Sequence, residues 1–248
     1  MNGTLRRLLR PPRRRECFSW KASSLSLVLI VAVWTRFFPL VKELQRLVHQ
    51  EKLIGEVSRV FCEFGLNLDM EKLPESSRVK SQALGAGALL DIGIYCLTWG
   101  RLFLDPGVPK SPPKVTAELT LVNGIDYMDS IILSYPGKQA ILTTTLLCKS
   151  SSDFCRIEGS KGTIVVSGPG ASLPQSFTIQ MVGQTEIIKK DFKTDVMGFC
   201  WEADAVAIDL AEGRLENETM PLKETLSMMR LMDGIRKQAG LYYPQDST

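Results

Sequence analysis

The sequence predicts an α+β fold, in which a mostly antiparallel open sheet carries helices on one face. Segments that resemble strands follow one another between residues 115 and 192, and helical segments lie before and after them. Two of the connections, Tyr135-Pro136-Gly137-Lys138 and Gly159-Ser160-Lys161-Gly162, have the residues of tight turns. The 44% hydrophobic content is typical of a globular chain with a core. Strands that arrive in a run between helices are the pattern of an α+β protein.

The N-terminal residues differ in charge from the rest of the chain. Residues 1–21 hold six arginines and one lysine against one glutamate, a net charge of +6. Because the whole chain carries +3, residues 22–248 carry −3. A nucleic-acid surface needs basic residues spread over the folded body, so we expect no nucleic-acid partner. We interpret residues 1–24 as a basic tail.

The apolar segment Leu25–Trp34 has several interpretations. It is rich in β-branched residues, which favours a strand buried on both faces of a parallel sheet. A basic start followed by apolar residues is also typical of a signal anchor or a mitochondrial presequence. The run is shorter than the roughly 20 residues that span a bilayer. We therefore expect a cytoplasmic protein, with mitochondrial targeting and a signal anchor at residues 25–34 as the alternatives.

The first half of the chain predicts two helices around one strand. Pro39 opens a helix over residues 40–50 that has an apolar stripe, and residues 56–64 alternate as a half-buried strand. A glycine turn at residues 85–87 then opens a helix from about Ala88 to Leu104.

The second half predicts seven strands and two helices. The strands are expected at Val115–Val122, Met128–Tyr135, Gln139–Leu147, Asp153–Glu158, residues 163–168, Phe177–Met181 and Thr185–Phe192, and the helices at Phe199–Glu212 and Leu222–Ala239. We expect buried thiols at Cys62, Cys96 and Cys148, which lie in apolar stretches.

Asp91 and Tyr95 are the candidate catalytic residues, because their spacing of four places them on one helical face. The plainer interpretation is a carboxylate near a helix start and a ring that packs in the core. In the chemical interpretation Tyr95 donates or accepts a proton, and a nearby cation must stabilise its phenolate at neutral pH. Arg36 is the candidate cation if the fold brings it close.

Other chemistries find little support. A metal site is not expected, since the six cysteines form no C-x-x-C pair and His49 is the only histidine. The turns at residues 85–90 and 168–173 lack the strand, third glycine or helix that a dinucleotide fingerprint requires. The cofactor-binding residues are therefore unknown at this stage.

Several motifs together resemble the glucose–fructose oxidoreductase/inositol dehydrogenase family, and most of all its dimeric dihydrodiol dehydrogenases and fungal NADP-dependent D-xylose dehydrogenases. They are VWTRFFP (residues 33–39), IGEVSRVFCEFG (54–65), GAGALLDIGIYCL (85–97) and KGTIVVSGP (161–169). Members have an N-terminal Rossmann domain, which binds NAD(P) and carries a catalytic lysine in a Glu-Lys-Pro segment. A C-terminal α+β domain follows, whose open sheet forms the dimer interface.

The resemblance implies an NADP-dependent oxidoreductase that acts on CH–OH groups of a sugar or a dihydrodiol. Tyr95 falls on the family's catalytic tyrosine and Asp91 on the aspartate of the same motif. Trp34, Arg36 and Phe37 become candidate substrate-binding residues. A homodimer through the open sheet is the expected assembly.

The chain departs from the family at its start, where a basic tail stands in place of about 120 residues of Rossmann domain. We therefore expect residues 25–54 to be a remnant strand and helix of that domain, and residues 55–248 to form the C-terminal substrate and dimerisation domain. The resemblance then implies a chain that does not bind its coenzyme alone. The alternative is a non-catalytic dimerisation domain or pseudoenzyme isoform.

Overall fold

The computed structural model describes residues 33–106, 111–192 and 198–247. The strands are β1 (Val57–Gly65), β2 (Lys114–Val122), β3 (Ile125–Tyr135), β4 (Lys138–Thr145), β5 (Cys155–Gly159), β6 (Gly162–Ser167), β7 (Ser176–Met181) and β8 (Ile187–Asp191). The α-helices are α1 (Pro39–Gln45), α2 (Ile94–Leu104), α3 (Phe199–Ala211) and α4 (Leu222–Gln238). Wider π-helical turns extend α1 over Arg46–Gln50 and precede α2 over Leu89–Gly93. Shorter 3-10 turns cover Trp34–Phe37, Gln82–Leu84 and Pro244–Ser247.

The strands form one eight-stranded sheet in the order β2-β3-β4-β1-β5-β6-β7-β8. Neighbouring strands are antiparallel except β1 and β4, which pair in parallel. The predicted α+β class with a mostly antiparallel open sheet is confirmed. The first strand in the chain therefore lies inside the sheet, between two meanders made of later strands.

Helix α2 covers the centre of one face of the sheet. Gly100 permits this close approach, because a Cβ there would lie 3.1 Å from the Cβ of Ala140 on β4. Cys62 and Cys96 are buried in the same layer, as the sequence predicts. Cys148 is exposed, contrary to prediction, because β4 ends at Thr145 and the chain bends away from the sheet.

Helix α1 shares the core of the sheet. Its apolar residues Leu40, Val41 and Leu44 are fully buried and belong to the same hydrophobic cluster as α2 and the strands. Of the segment predicted as a strand over Leu25–Trp34, only the last two residues are described, and Trp34 begins a 3-10 turn there. The rest of that prediction, and the predicted tail over residues 1–24, lie outside the described residues.

The stretch Gln82–Leu104 is long and apolar enough to cross a membrane by composition alone. In the structure, 61% of its most apolar window is buried inside the fold. Packing against the sheet thus accounts for its apolar character.

Candidate functional site

The helix that carries the candidate catalytic pair starts at a glycine turn. Gly85 and Gly87 have φ angles of 71° and 126°, conformations that residues with a Cβ rarely adopt. The chain then enters the π-helical turn Leu89–Gly93, which carries Asp91, and continues into α2, whose second residue is Tyr95. The predicted helix from about Ala88 to Leu104 is thus present, and its wide first turn holds Asp91.

Tyr95 is half-buried and contacts two aromatic residues. The indole nitrogen Nε1 of Trp34 donates a hydrogen bond of 3.0 Å to the Tyr95 hydroxyl oxygen. The ring of Phe64 on β1 meets the Tyr95 ring edge-on at 5.9 Å between centroids. Since an indole N–H can only donate, the phenol accepts this bond and keeps its own proton for another acceptor.

The surroundings of Tyr95 favour the neutral phenol. Burial raises the pKa of Tyr95 above its usual value, the hydrogen bond from Trp34 opposes that rise, and the carboxylates of Asp91 and Glu202 add to it. Tyr95 is therefore protonated at neutral pH and can serve as a proton donor.

Asp91 pairs with a residue that the sequence did not single out. Its Oδ1 accepts a bond of 2.5 Å from Nη1 of Arg78, whose side chain is 73% exposed. Arg78 is also close enough to Tyr95 to lower the pKa of the phenol slightly. Asp91 and Arg78 thus form an ion pair beside the Tyr95 hydroxyl, and Arg78 is the positively charged member of this group.

Arg36 is not the cation of Tyr95, and that prediction is wrong. Its guanidinium is buried, where Nη1 donates 2.9 Å to Oε1 of Glu224 and 3.4 Å to the sulfur of Met220. Glu224 also accepts 2.8 Å from Nη2 of Arg101. Because Glu224 draws Arg36 toward α4, the arginine has a structural partner in the core.

The other two candidate substrate-binding residues separate in the structure. Phe37 is 1% exposed and packs against Val33 and Met220 in a small core cluster, so it faces no open site. Trp34 borders Tyr95, and its outer side stacks on the exposed ring of Phe199 at 4.2 Å.

The 3-10 turn that carries Trp34 is held by a bond of 2.8 Å from the Thr35 hydroxyl to the carbonyl of Ser172. This contact joins the turn to the loop between β6 and β7. The position of Trp34 beside Tyr95 is thereby fixed by a segment distant in sequence.

Sequence reasoning missed three neighbours of the site: Arg78, Phe199 and Glu202. Glu202 lies on α3, and burial raises its own pKa. Arg78 sits in a polar segment without periodicity, and the α3 residues follow an ordinary helical pattern. Nothing in either pattern indicates that these side chains reach Tyr95, because only the tertiary fold brings them together.

The comparisons with known proteins show the family of the chain. The family model described as GFO/IDH/MocA C-terminal domain matches residues 41–165, half of the chain. The chain belongs to the GFO/IDH/MocA family. The matched range includes β1, the glycine turn, Asp91 and Tyr95, and it runs as far as β6.

Curated relatives of this GFO/IDH/MocA chain include dehydrogenases of two kinds. D-xylose 1-dehydrogenase (NADP(+)) of Hypocrea jecorina is 31% identical over 246 residues, which cover 90% of this chain and 63% of the relative. Trans-1,2-dihydrobenzene-1,2-diol dehydrogenase of Xenopus tropicalis is 33% identical over 229 residues, which cover 90% of this chain and 66% of the relative. The chain thus spans about two thirds of the length of these relatives.

Solved structures show the same fold. Aldose-aldose oxidoreductase from Caulobacter crescentus, complexed with glycerol, superposes with a TM-score of 0.69 at 21% identity, covering 85% of this chain and 61% of that one. Levoglucosan dehydrogenase, in complex with NADH and levoglucosan, gives a TM-score of 0.69 at 15% identity, covering 87% and 65%. At these identities the likeness concerns the fold.

The two glycine turns of this GFO/IDH/MocA chain that partly match a dinucleotide fingerprint do not fit a pyrophosphate. At Gly87 the space that a pyrophosphate would need is filled, since a Cβ there would lie 1.9 Å from Oδ1 of Asp126. At the Gly168-Pro169-Gly170 turn, a Cβ on Gly170 would lie 2.6 Å from the Phe64 ring, and the next element is strand β7 instead of a helix. A helix N-terminus above an open glycine turn, which binds the pyrophosphate in such proteins, is absent from both turns.

Proposed function

We propose that the chain supplies the substrate-side, proton-transferring part of an NADP-dependent oxidoreductase that acts on CH–OH groups of a sugar or a trans-dihydrodiol. The observation that carries this proposal is the Tyr95 hydroxyl, which is held by Trp34 and keeps its proton for an acceptor. The named activities of the two dehydrogenase relatives support the reaction class.

The chain's own residues handle the proton. In reduction of a carbonyl, the neutral Tyr95 hydroxyl gives its proton to the oxygen that becomes the carbinol O–H. In oxidation, the same oxygen must take that proton back as a phenolate, a form that the raised pKa disfavours. Asp91 orients Arg78 near the phenol, and Trp34 keeps the hydroxyl in place through its 3.0 Å bond.

The test of this proposal is substrate binding and turnover with a tyrosine variant. D-xylose and trans-1,2-dihydrobenzene-1,2-diol are titrated into the chain, and a tryptophan fluorescence change that is lost in Trp34→Phe reports binding next to Tyr95. Turnover with NADP⁺ is then followed in the longest natural polypeptide that contains this sequence.

Tyr95→Phe is expected to reduce turnover by about 10²–10⁴-fold, the usual contribution of a general acid. Tyr242→Phe, on an exposed tyrosine, is the control and should leave turnover unchanged. Unchanged turnover in Tyr95→Phe, or the absence of binding of either compound, would reject the proposal.

A second candidate function, a dimerisation domain without catalysis, is favoured by the face of the sheet opposite α2, which no described helix covers. Ala140 and Leu142 on β4 face α2. Because side chains alternate between the two faces of a strand, Ile141 points to the other face of the sheet. A row of partly exposed or exposed side chains crosses that face through five adjacent strands. Its members are Ile132, Ile141, Phe61, Arg156 and Val165.

We infer that a homodimer forms through this face, where the guanidinium of Arg156 lies 4.3 Å from the centre of the Phe61 ring. Sedimentation velocity should give a dimer for the wild type and a monomer for Phe61→Glu. Val182→Glu, at a 73% exposed turn position, is the matched control and should remain a dimer. A monomeric wild type would contradict the inferred assembly.

A further inference from the structure

Two carboxyl groups that the proposed reaction does not use lie buried beneath the glycine turn. Asp126 and Asp129, both on β3, are 0% and 2% exposed. Among the described residues neither forms an ion pair with a lysine or an arginine. Two unpaired carboxylates in such a place would be very unfavourable, since burial penalises charge and the two charges repel.

Each carboxyl group has one satisfied oxygen. The backbone N–H of Leu89 donates 2.5 Å to Oδ2 of Asp126, and the hydroxyl of Thr144 on β4 donates to Oδ2 of Asp129. The remaining oxygen of each, Oδ1, is buried without a hydrogen-bond donor. The two carboxyl groups are close enough that the charge of Asp126 raises the pKa of Asp129. One proton held between them would give both groups the partner they lack.

Asp126 also occupies a position that shapes the start of the Tyr95 helix. Its Oδ2 accepts from the first residue of the π-helical turn, which no side chain within that helix caps. Its Oδ1 occupies the place where a Cβ of Gly87 would be. The absence of a side chain at Gly87 thus lets a carboxylate from the sheet reach the orphan N–H groups of the helix.

We propose that Asp126 and Asp129 share a single proton, and that this acid pair fixes the start of the helix that carries Tyr95. Asp126 is then a positioning residue that acts through the helix. The sharing of a proton stands on the contacts of the pair alone, whereas its importance for Tyr95 rests on the proposed function.

The surroundings of the pair contain few other ionisable groups. From the C-terminal segment, Tyr243 faces it, and the Tyr243 hydroxyl donates 2.8 Å to the carbonyl of Ala86 in the glycine turn. Burial and the charge of Asp126 raise the pKa of Tyr243, so this phenol stays neutral. Arg236 lies behind the Tyr243 ring, where it is paired with Asp246. From β4, only the uncharged Thr144 hydroxyl contacts the pair.

The pair predicts a specific pH dependence of stability. Burial, followed by the charge of Asp126, raises the pKa of Asp129 to about 8 in the folded protein, whereas a free aspartate titrates near 4. The folded state therefore retains a proton that the unfolded state releases. Stability should consequently fall as the pH rises from about 4 to about 8.

Asp129→Asn tests the shared proton, because the amide donates permanently to Asp126 and its oxygen can still accept from Thr144. The urea midpoint of the wild type should fall by roughly 1 M between pH 5 and pH 8.5, and that of Asp129→Asn should fall much less. Asp153→Asn, which removes an exposed carboxylate, is the control and should retain the wild-type slope. An equal slope in Asp129→Asn and wild type would overturn the proposal.

The positioning role is tested by the NMR resonance of the Trp34 indole N–H, which is assigned with Trp34→Phe and reports the bond to Tyr95. Asp126→Ala should shift this resonance, and Asp126→Asn, which keeps an acceptor for Leu89, should preserve it. A resonance unaffected in Asp126→Ala would overturn the role.

If Asp126→Ala does not fold, the same resonance is compared in wild type and Asp129→Asn between pH 5 and pH 8.5. Ionisable groups outside the acid pair affect both proteins equally, so a larger shift in the wild type supports the role and equal shifts overturn it. These readouts need neither coenzyme nor substrate. They can succeed or fail independently of the proposed oxidoreductase activity.

Discussion

At the scale of single residues, the indole of Trp34 is the hydrogen-bond donor that contacts the Tyr95 hydroxyl. It donates 3.0 Å to the phenol oxygen, and this bond stabilises the phenolate more than the phenol. Burial acts in the opposite direction and dominates, so the pKa of Tyr95 stays above its usual value. Oxidation requires the phenolate form of Tyr95. A cation that stabilises this form therefore has to lie close to the phenol oxygen.

Trp34→Phe should raise the pKa of Tyr95 further, because the phenolate loses a hydrogen-bond donor. The pKa is measured by NMR titration of the labelled tyrosine ring, assigned with Tyr95→Phe. Trp201→Phe serves as the control, since Trp201 packs edge-on against Phe38 and gives Tyr95 no hydrogen bond. An unchanged or lower pKa in Trp34→Phe would contradict the account.

Gly87→Ala should destabilise the fold by about 3 kcal/mol, through backbone strain at φ 126° and the clash with Asp126. Gly137→Ala is the matched control, because Gly137 also has a positive φ, of 72°, but an added Cβ would meet nothing within 4 Å. It should cost about 1 kcal/mol. Urea unfolding measures both values, and equal losses would show that the carboxylate does not matter at Gly87.

At the scale of elements, a buried ion cluster joins the 3-10 turn of Arg36 to α2 and α4. Glu224 on α4 accepts from Arg36 at 2.9 Å and from Arg101 on α2 at 2.8 Å. Removal of its charge would take away the carboxylate that both buried guanidinium groups share. Such clusters are costly to break from one side, even where their formation contributes little net stability.

Glu224→Gln should therefore lower the free energy of unfolding by about 3 kcal/mol, as measured by urea denaturation. Glu186→Gln is the control, because Glu186 is exposed and forms no ion pair among the described residues. Its effect should stay within about 0.5 kcal/mol. A loss in Glu224→Gln no greater than in this control would show that the cluster is not structural.

The elements themselves could be predicted because their signals are local. Pro136-Gly137 and the turn at residues 159–162 mark hairpins, and side-chain alternation marks the strands between them. The partner of Arg36 could not be predicted, since Glu224 lies 188 residues further along the chain. The family motif made Tyr95 and Asp91 candidate catalytic residues. No periodicity in the sequence could predict that Arg78 and Glu202 lie near them.

At the scale of the whole molecule, the two glycine turns that partly match a dinucleotide fingerprint are occupied by side chains of the fold, Asp126 beside Gly87 and Phe64 beside Gly170. A fluorescence titration of the 248-residue chain with NADPH should therefore show no saturable binding at micromolar concentrations. D-xylose 1-dehydrogenase (NADP(+)) of Hypocrea jecorina is the positive control. Saturable micromolar binding by this chain would show that a dinucleotide site exists despite the filled turns.

The central place of β1 has a consequence for how the molecule is made. Among the described residues this strand precedes both of its partners, since its neighbours are residues 138–145 on one edge and 155–159 on the other. The strands β2–β4 and β5–β8 can each close locally as hairpins, but β1 must wait with both edges open. A partly folded chain in which residues 138–159 have not yet docked thus exposes both edges of a strand, and such open edges are where intermediates aggregate.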